Sequence, residues 1–187
     1  MPLAPRDPEA VRRAIADLLR ALGLDAATEP ELAATPARVA DFYADAFAGL
    51  ADDFEEPVTF PHPPAAGDEA IVVRGLPFHS LCVHHLAPFF GRATIAYVPG
   101  DRIVGISGAA RLLQRHARRP QLQERLGREL ADHLERLLAP RGLEVRLVAR
   151  HLCMEMRGAR TRAWVETRIA RGVLADPGSP VTGPRHP

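Results

Sequence analysis

Hydrophobic residues recur every three or four positions near the start of the chain. From Pro8 to Leu22 this spacing predicts an amphipathic helix, because residues three and four apart lie on one helix face. Asp7 is the predicted N-cap, and Gly23 is the predicted end of the helix. The apolar face of this helix consists of Val11, Ile15, Leu18, Leu19 and Leu22.

A second helical pattern extends from Glu29 to Leu50. Thr35 followed by Pro36 predicts an N-cap with proline at the first helical position, and Gly49 is the predicted end. Residues 52–68 are acidic and rich in proline, which is typical of a connection. The first 68 residues are therefore expected to form an N-terminal helical pair followed by a linker.

From residue 69 the pattern changes to strands. Residues 70–76 form a short β-branched run, and positions 91–98 alternate, with Ala93, Ile95 and Tyr97 on one face. The turn residues 99–101 then predict a hairpin in which 91–98 pairs with a second strand at 102–106. Two helices are predicted next, one at residues 107–118 with Ser107 as cap and one that begins after Pro120 and ends at Ala139. The buried stripe of the longer helix is predicted to consist of Leu122, Leu126, Leu130, Leu134 and Leu137.

Two strands, at residues 143–156 and 162–171, complete the pattern. In a regular strand His151, Cys153, Glu155 and Arg157 would share one face, because side chains alternate with period two. The order of elements predicts an α+β fold with an antiparallel sheet and helices on one face. The predicted domains are 1–68, 69–175 and a disordered tail at 176–187, where prolines and glycines dominate.

Composition describes an ordinary globular protein of 187 residues, with 47% hydrophobic and 25% charged residues. The formal net charge of +1 gives no electrostatic case for a nucleic-acid or membrane partner. All 24 basic residues are arginine. The sequence shows neither a signal-peptide pattern nor an apolar run of ~18 residues, so we expect a cytoplasmic protein.

The chain has only two cysteines, and each has a histidine within three positions. Cys82 and His85 are three apart, so a helical turn or tight loop would place both side chains on one side. With Cys153 they form a set of two thiolates and one imidazole, which suits a catalytic zinc ion that keeps one position for water. His84 or His151 could instead supply a fourth ligand to a structural zinc ion. Two buried free cysteines would need no metal at all.

Four polar side chains near these positions suggest acid–base chemistry on an anionic substrate. His84 and His151 each lie within two residues of a proposed ligand, and imidazole titrates near neutrality. Arg111 and Arg157 carry the guanidinium fork that matches phosphate. The alternative to a binding role, for the two arginines and for Glu124, is a solvated position on the surface. Ser107 could be a simple helix cap or could contact phosphate. The residues alone predict a zinc hydrolase with an anionic substrate.

Five segments around these residues resemble the GTP cyclohydrolase I family. They are residues 35–40, 80–85, 91–107, 118–125 and 151–158, and they occur in the family's order. The resemblance implies a tunnelling fold (T-fold) for the catalytic domain and a homodecamer with active sites at subunit interfaces. It also implies a hydrolase of cyclic amidine C–N bonds in pterin and tetrahydrofolate biosynthesis, with GTP or a related purine nucleotide as substrate.

The resemblance further implies a role for each matching residue. Zinc would be held by Cys82, His85 and Cys153, and would activate water for attack on guanine C8. Formate would leave, and rearrangement of the ribose carbons would give 7,8-dihydroneopterin triphosphate. His84 and His151 would handle protons. The implied substrate-binding residues are Ser107, Arg111, Gln123, Glu124 and Arg157, with Glu124 on the guanine edge and Ser107, Arg111 and Arg157 on the triphosphate.

The chain departs from the family pattern at three places. Gly108 stands where the family has a phosphate-binding lysine, and Val83 replaces a glutamate beside the site. A second family lysine is replaced near Glu55 or Glu56, whose charge would repel phosphate. Weakened triphosphate recognition is therefore expected. Two alternatives stay open: a divergent enzyme that opens the imidazole ring of a less phosphorylated purine nucleotide, and a non-catalytic oligomer stabilised by zinc.

Overall fold

The computed structural model describes residues 7–51, 53–63 and 69–176. The helices in these residues are Pro8–Ala21 (α1), Thr35–Ala46 (α2), Ile106–Ala117 (α3), Gln123–Leu138 (α4) and Leu152–Glu155 (α5), with 3-10 turns at Pro30–Leu32 and Ala48–Leu50. The strands are Thr59–Pro61 (β1), Ile71–Cys82 (β2), Pro88–Val98 (β3), Arg102–Val104 (β4), Pro120–Gln121 (β5), Gly142–His151 (β6) and Val165–Gly172 (β7).

The chain divides into two compact units, Met1–Ala48 and Gly49–Pro187. In the first unit α1 packs against α2. The prediction for α1 is confirmed: the Asp7 carboxylate accepts a hydrogen bond from the Ala10 N–H at 3.0 Å, and Gly23 follows the helix with φ +83°. The predicted domain limits at residues 68 and 175 stay predictions, and residues 177–187 of the predicted tail lie outside the described part.

The second predicted helix is shorter than expected. Thr35 is its first residue rather than its cap, because Ala34 is in the N-cap position and no side chain caps the helix. The helix ends at Ala46, before Gly49. Gly49 has another role, since its N–H donates to Arg118 O at 2.8 Å and a Cβ would collide with the carbonyl oxygens of Arg115 and Arg118.

The main sheet of the second unit has the strand order β5-β2-β3-β6-β7. All pairs are antiparallel except β2–β5, which is parallel. Helix α3 packs against β2, and α4 packs against β6 and β7. The core lies between these helices and the sheet face that carries Ala93, Ile95 and Tyr97, as the alternation predicts. The α+β class is therefore confirmed.

The buried stripe of α4 differs at both ends from the predicted one. Leu122 precedes the helix and is 38% exposed, and Leu137 is only partly buried. The buried leucines are Leu126, Leu130, Leu134 and Leu138. The helix begins two residues later than predicted, which leaves Leu122 in the N-cap position and outside the periodic face.

The predicted hairpin between 91–98 and 102–106 is wrong. Strand β4 pairs with β1, with Thr59 opposite Val104, in a separate two-stranded sheet. Strand β3 cannot accept β4, because β2 and β6 already occupy its two edges, with Tyr97 opposite both Ile71 and Leu143. Part of the predicted connection at 52–68 is therefore a strand.

Three further element limits differ from the predictions. Strand β2 continues to Cys82, well past the predicted end at residue 76. Strand β6 ends at His151, where α5 begins, and β7 begins at Val165 rather than at residue 162. Ser107 is inside α3, because Gly105 occupies the N-cap position. Within the described residues, no helix is both long and apolar enough to cross a membrane.

Candidate metal centre

The first part of the centre is the turn that joins β2 to β3. The Leu86 N–H donates to Cys82 O at 2.8 Å, and the His85 N–H approaches the same oxygen at 3.3 Å. The Cys82 N–H donates to Ala87 O at 2.8 Å, which closes the turn from the other side. Leu86 adopts a left-handed conformation with φ +51°, which is uncommon for a residue other than glycine. The predicted tight loop is therefore present.

Cys153 also lies at this turn, but it is not part of the strand that was predicted to contain it. Strand β6 ends at His151, which is opposite Phe89 at the beginning of β3, and Cys153 follows on the single helical turn α5. The Arg150 Nε donates to the Glu155 carboxylate at 2.8 Å across that turn. This hydrogen bond lowers the pKa of Glu155, so the pair stabilises the turn in its charged form.

The sulfur atoms of Cys82 and Cys153 and a ring nitrogen of His85 all lie within 4.8 Å of one another. Cys82 is buried, Cys153 is half-buried and His85 is exposed, so the cluster has a closed side and an open side. Burial and the neighbouring Cys82 thiol raise the pKa of Cys153. A bound cation would reverse that effect by stabilising adjacent thiolates. Two sulfur ligands and one imidazole fit a zinc ion with a fourth position for water.

His151 lies beside the cluster with one ring nitrogen hydrogen-bonded. Its Nε2 is 2.8 Å from Gln123 Oε1, and its ring stacks on Phe89 at 4.7 Å between centroids. Burial lowers the pKa of His151, and the nearby Glu124 carboxylate acts in the opposite direction. His84 is exposed, with its Nδ1 3.9 Å from Cys82 Sγ. His84 therefore contacts the metal cluster, and His151 lies two residues before the cluster residue Cys153.

Gln123 contacts protein groups with both ends of its amide. Its Nε2 donates to Leu147 O at 3.1 Å and to Val165 O at 3.0 Å, and Thr167 Oγ1 lies at 3.3 Å. Because carbonyl oxygens only accept, Oε1 must be the atom that faces His151, so His151 Nε2 carries a proton. The side chain is 2% exposed. Sequence reasoning placed Gln123 among the substrate contacts and missed these partners, which lie 24 to 44 positions away in the chain.

The predicted anion-binding residues divide into two groups. Arg157 lies at the metal cluster, where its Nη1 is 2.8 Å from His85 Nε2. Ser107 and Arg111 are exposed on the first turns of α3, and neither side chain hydrogen-bonds to another described residue. Glu124 is exposed in the first turn of α4, next to Gln123. No hydrogen bond or ion pair within the described residues joins Ser107 or Arg111 to the metal cluster.

Gly108 is buried where the phosphate-binding lysine of the resembled family would begin. A Cβ built on Gly108 would lie 2.7 Å from Pro57 Cβ and 2.8 Å from Val104 Cγ2. Both distances are shorter than real Cβ contacts, so Pro57 and Val104 occupy the space that any side chain would need. Position 108 therefore lacks the lysine of the resembled family, and Pro57 and Val104 also occupy the space that a lysine side chain would need.

Comparisons with known proteins agree with the predicted family. A family model described as GTP cyclohydrolase I matches residues 11–179. A GTP cyclohydrolase 1 of Streptococcus thermophilus is 44% identical over 170 residues, or 90% of each chain. One from Leifsonia xyli is 43% identical over 169 residues, which is 89% of this chain and 88% of that protein. One from Halalkalibacterium halodurans is 41% identical over 176 residues, which is 91% of this chain and 90% of that protein.

Among solved structures, the archaeosine synthase QueF-Like in the apo form aligns with 56% of this chain and 95% of its own. The identity is 12% and the TM-score is 0.40, which is too low to support a fold assignment.

Proposed function

The chain belongs to the GTP cyclohydrolase I family, and on that premise we propose how its own residues carry out the family's reaction. The protein is a GTP cyclohydrolase I, an enzyme of pterin and folate biosynthesis. We assign to its catalytic unit the tunnelling fold, which the α+β architecture and the mostly antiparallel sheet support. The observation that carries the proposed mechanism is the convergence of Cys82, His85 and Cys153 within 4.8 Å.

The metal of the proposed mechanism is zinc, held by Cys82, His85 and Cys153. When bound, zinc supplies Lewis acidity and lowers the pKa of water, which favours attack on guanine C8. Hydrolysis at C8 opens the imidazole ring and releases formate, and rearrangement of the ribose carbons gives 7,8-dihydroneopterin triphosphate. The exposed side of the cluster, formed by His84 and His85, is where the guanine would enter.

His151 and His84 are the proposed proton-transfer residues. His151 Nε2 keeps its proton and donates a hydrogen bond to Gln123 Oε1. The other ring nitrogen, Nδ1, is therefore the one that can take up a proton during ring opening. The stacking of His151 on Phe89 fixes the plane of the imidazole. Gln123 therefore has a positioning role in this proposal instead of a substrate contact.

Glu124 is the proposed acceptor for the N–H groups of guanine, since it is an exposed carboxylate at the beginning of α4, near His151. Ser107, Arg111 and Arg157 are the proposed triphosphate contacts. Ser107 and Arg111 lie apart from the described metal cluster, which supports an active site shared between subunits. The proposed assembly is a homodecamer, and sedimentation at the mass of a decamer would test it.

A second substrate class is favoured by one observation, the filled position at Gly108. Without a cation there, the enzyme would depend less on the third phosphate and would accept GDP or GMP. The loss of a charge-assisted contact to phosphate is worth about 1.5–3 kcal/mol, or roughly 10- to 100-fold in discrimination.

One experiment separates the two substrate classes. Zinc-loaded protein would be incubated without oxygen with GTP, GDP, GMP or guanosine, and both formate release and fluorescence of the oxidised pterin would be followed. GTP-specific formate with a fluorescent product supports the triphosphate substrate. Equal turnover of GDP or GMP supports the less phosphorylated class, and no formate from any of the four contradicts the proposed mechanism.

A further inference from the structure

A row of mostly buried polar side chains lies apart from the metal-binding residues, between α3, α4 and the segment before β1. Arg119 Nη2 is 2.6 Å from His116 Nδ1, His116 Nε2 is 3.0 Å from His133 Nδ1, and His133 Nε2 is 2.8 Å from the Glu56 carboxylate. Arginine can only donate and a carboxylate can only accept. The hydrogen bonds therefore run from Arg119 to His116, then to His133, then to Glu56, and every ring nitrogen has a partner.

The inner end of this row meets Gln121, whose side chain is 1% exposed. Gln121 Nε2 donates to His116 O at 3.0 Å and to Glu129 Oε2 at 2.9 Å, and its Oε1 accepts from Arg125 Nε at 2.6 Å. Glu129 Oε2 also lies 3.3 Å from Arg119 Nη2. The Gln121 amide is therefore held in one orientation by two acceptors and one donor.

Gln121 is half of the two-residue strand β5, which pairs with the end of β2. It lies opposite Cys82, and its carbonyl oxygen accepts a hydrogen bond from the Val83 N–H at 3.0 Å. Two positions before Cys82, Ser80 Oγ donates to Arg119 O at 3.1 Å. The strand segment around the metal ligand Cys82 is thus hydrogen-bonded to Gln121 and Arg119, which lie at the inner end of the buried row.

We propose that Gln121 is a positioning residue for the metal ligand Cys82, and that the row from Arg119 to Glu56 holds Gln121 in place. This inference rests on the proposed metal site at Cys82, His85 and Cys153. A two-residue strand provides very few backbone hydrogen bonds, so its side chains must fix its position. Replacing partners behind the ligands of a metal typically changes affinity by about 10- to 100-fold.

The test measures how fast full-length, zinc-loaded protein transfers zinc to an excess of a chromogenic chelator. Gln121→Leu removes all three amide contacts and is expected to release zinc about tenfold faster than the unchanged protein. The matched control is Gln114→Leu, because Gln114 Nε2 donates to Pro77 O at 2.9 Å, on the same strand β2 but away from the cluster. The control is expected to release zinc at the unchanged rate.

A charge-preserving swap keeps the test informative if Gln121→Leu does not fold. Gln121→Glu alone places a second carboxylate opposite that of Glu129. The repulsion between the two is expected to accelerate zinc release. Adding Glu129→Gln restores a donor and an acceptor at the 2.9 Å contact and is expected to slow release again.

Three outcomes would overturn the inference: release at the unchanged rate in folded Gln121→Leu, equal acceleration in Gln114→Leu, or no rescue by the swap. Failure of the metal site itself gives a different result, because Cys82→Ser would then retain zinc as well as the unchanged protein does.

Discussion

The metal cluster and the row from Arg119 to Glu56 both contain histidines, but the partners of those histidines differ. In the row, a guanidinium at one end and a carboxylate at the other determine the direction of every hydrogen bond, and both imidazoles are fully used. At the cluster, His85 Nδ1 faces the Cys82 sulfur at 3.8 Å, and a second thiol completes the group.

This difference shows which feature makes a group of imidazoles suitable for a metal. Two thiols that converge with one imidazole offer the sulfur and nitrogen ligands that a zinc ion takes, although His85 Nε2 also lies 2.8 Å from Arg157 Nη1. In the row, burial and the positive charge of Arg119 lower the pKa of His116 to about 3. Mutations that act on one group and spare the other therefore test the comparison.

The largest effect is expected at the metal cluster. Cys153→Ser keeps the size of the side chain but replaces a thiolate with a hydroxyl, which is a poor zinc ligand. Zinc content should fall, and GTP-dependent formate release should drop by roughly a thousandfold or more. Gln114→Leu, away from both groups, is the control and should keep its zinc. Full activity of Cys153→Ser with a stoichiometric metal would show that the cluster is not the catalytic centre.

A smaller effect is expected at Gln123, whose side chain accepts a hydrogen bond from His151. Gln123→Leu removes the acceptor for His151 Nε2 and should lower kcat by about 100-fold with an unchanged KM and unchanged zinc content. Gln123→Glu keeps the acceptor and should recover part of kcat. A rise in KM without a change in kcat would instead indicate a direct substrate contact.

At His116 no direct effect on the chemical step is expected, and the prediction concerns the pH dependence of stability. The folded state keeps His116 neutral down to pH of about 3, because burial and Arg119, His133, Arg115 and Arg136 oppose its protonation. The unfolded state takes up this proton near pH 6.5. The free energy of unfolding should therefore be fully retained above pH 6.5 and decrease toward pH 3, by up to roughly 5 kcal/mol.

Urea unfolding of His116→Phe and the unchanged protein between pH 8 and pH 4 would check this dependence. The variant should have the flatter profile, although it is less stable at pH 8. Glu129 and the other charged groups around His116 are common to both proteins, so the difference between the profiles reports the imidazole. Glu56→Gln, at the exposed end of the row, should change stability by less than about 1 kcal/mol. Parallel profiles for His116→Phe and the unchanged protein would contradict the assigned environment.

Local spacing predicted much of the fold and the membership of the metal cluster. The α1 helix follows from the Asp7 cap, a periodic apolar face and Gly23, all of which are close in the chain. Cys82 and His85 meet because a turn of this length brings positions three apart together. Cys153 lies in the cluster as expected, but the strand predicted to contain it ends two residues earlier, at His151.

What the sequence by itself determined were properties carried by neighbours along the chain: the caps, the apolar faces and the types of metal ligand. Only the tertiary structure decided which strand edges were already occupied, so that β4 pairs with β1, and that Pro57 fills the space at Gly108. It alone decided that His116 meets His133 while His85 meets two thiols. The physical reason is that a histidine's role depends on donors and acceptors from distant segments, and only the packing of helices on the sheet brings those segments together.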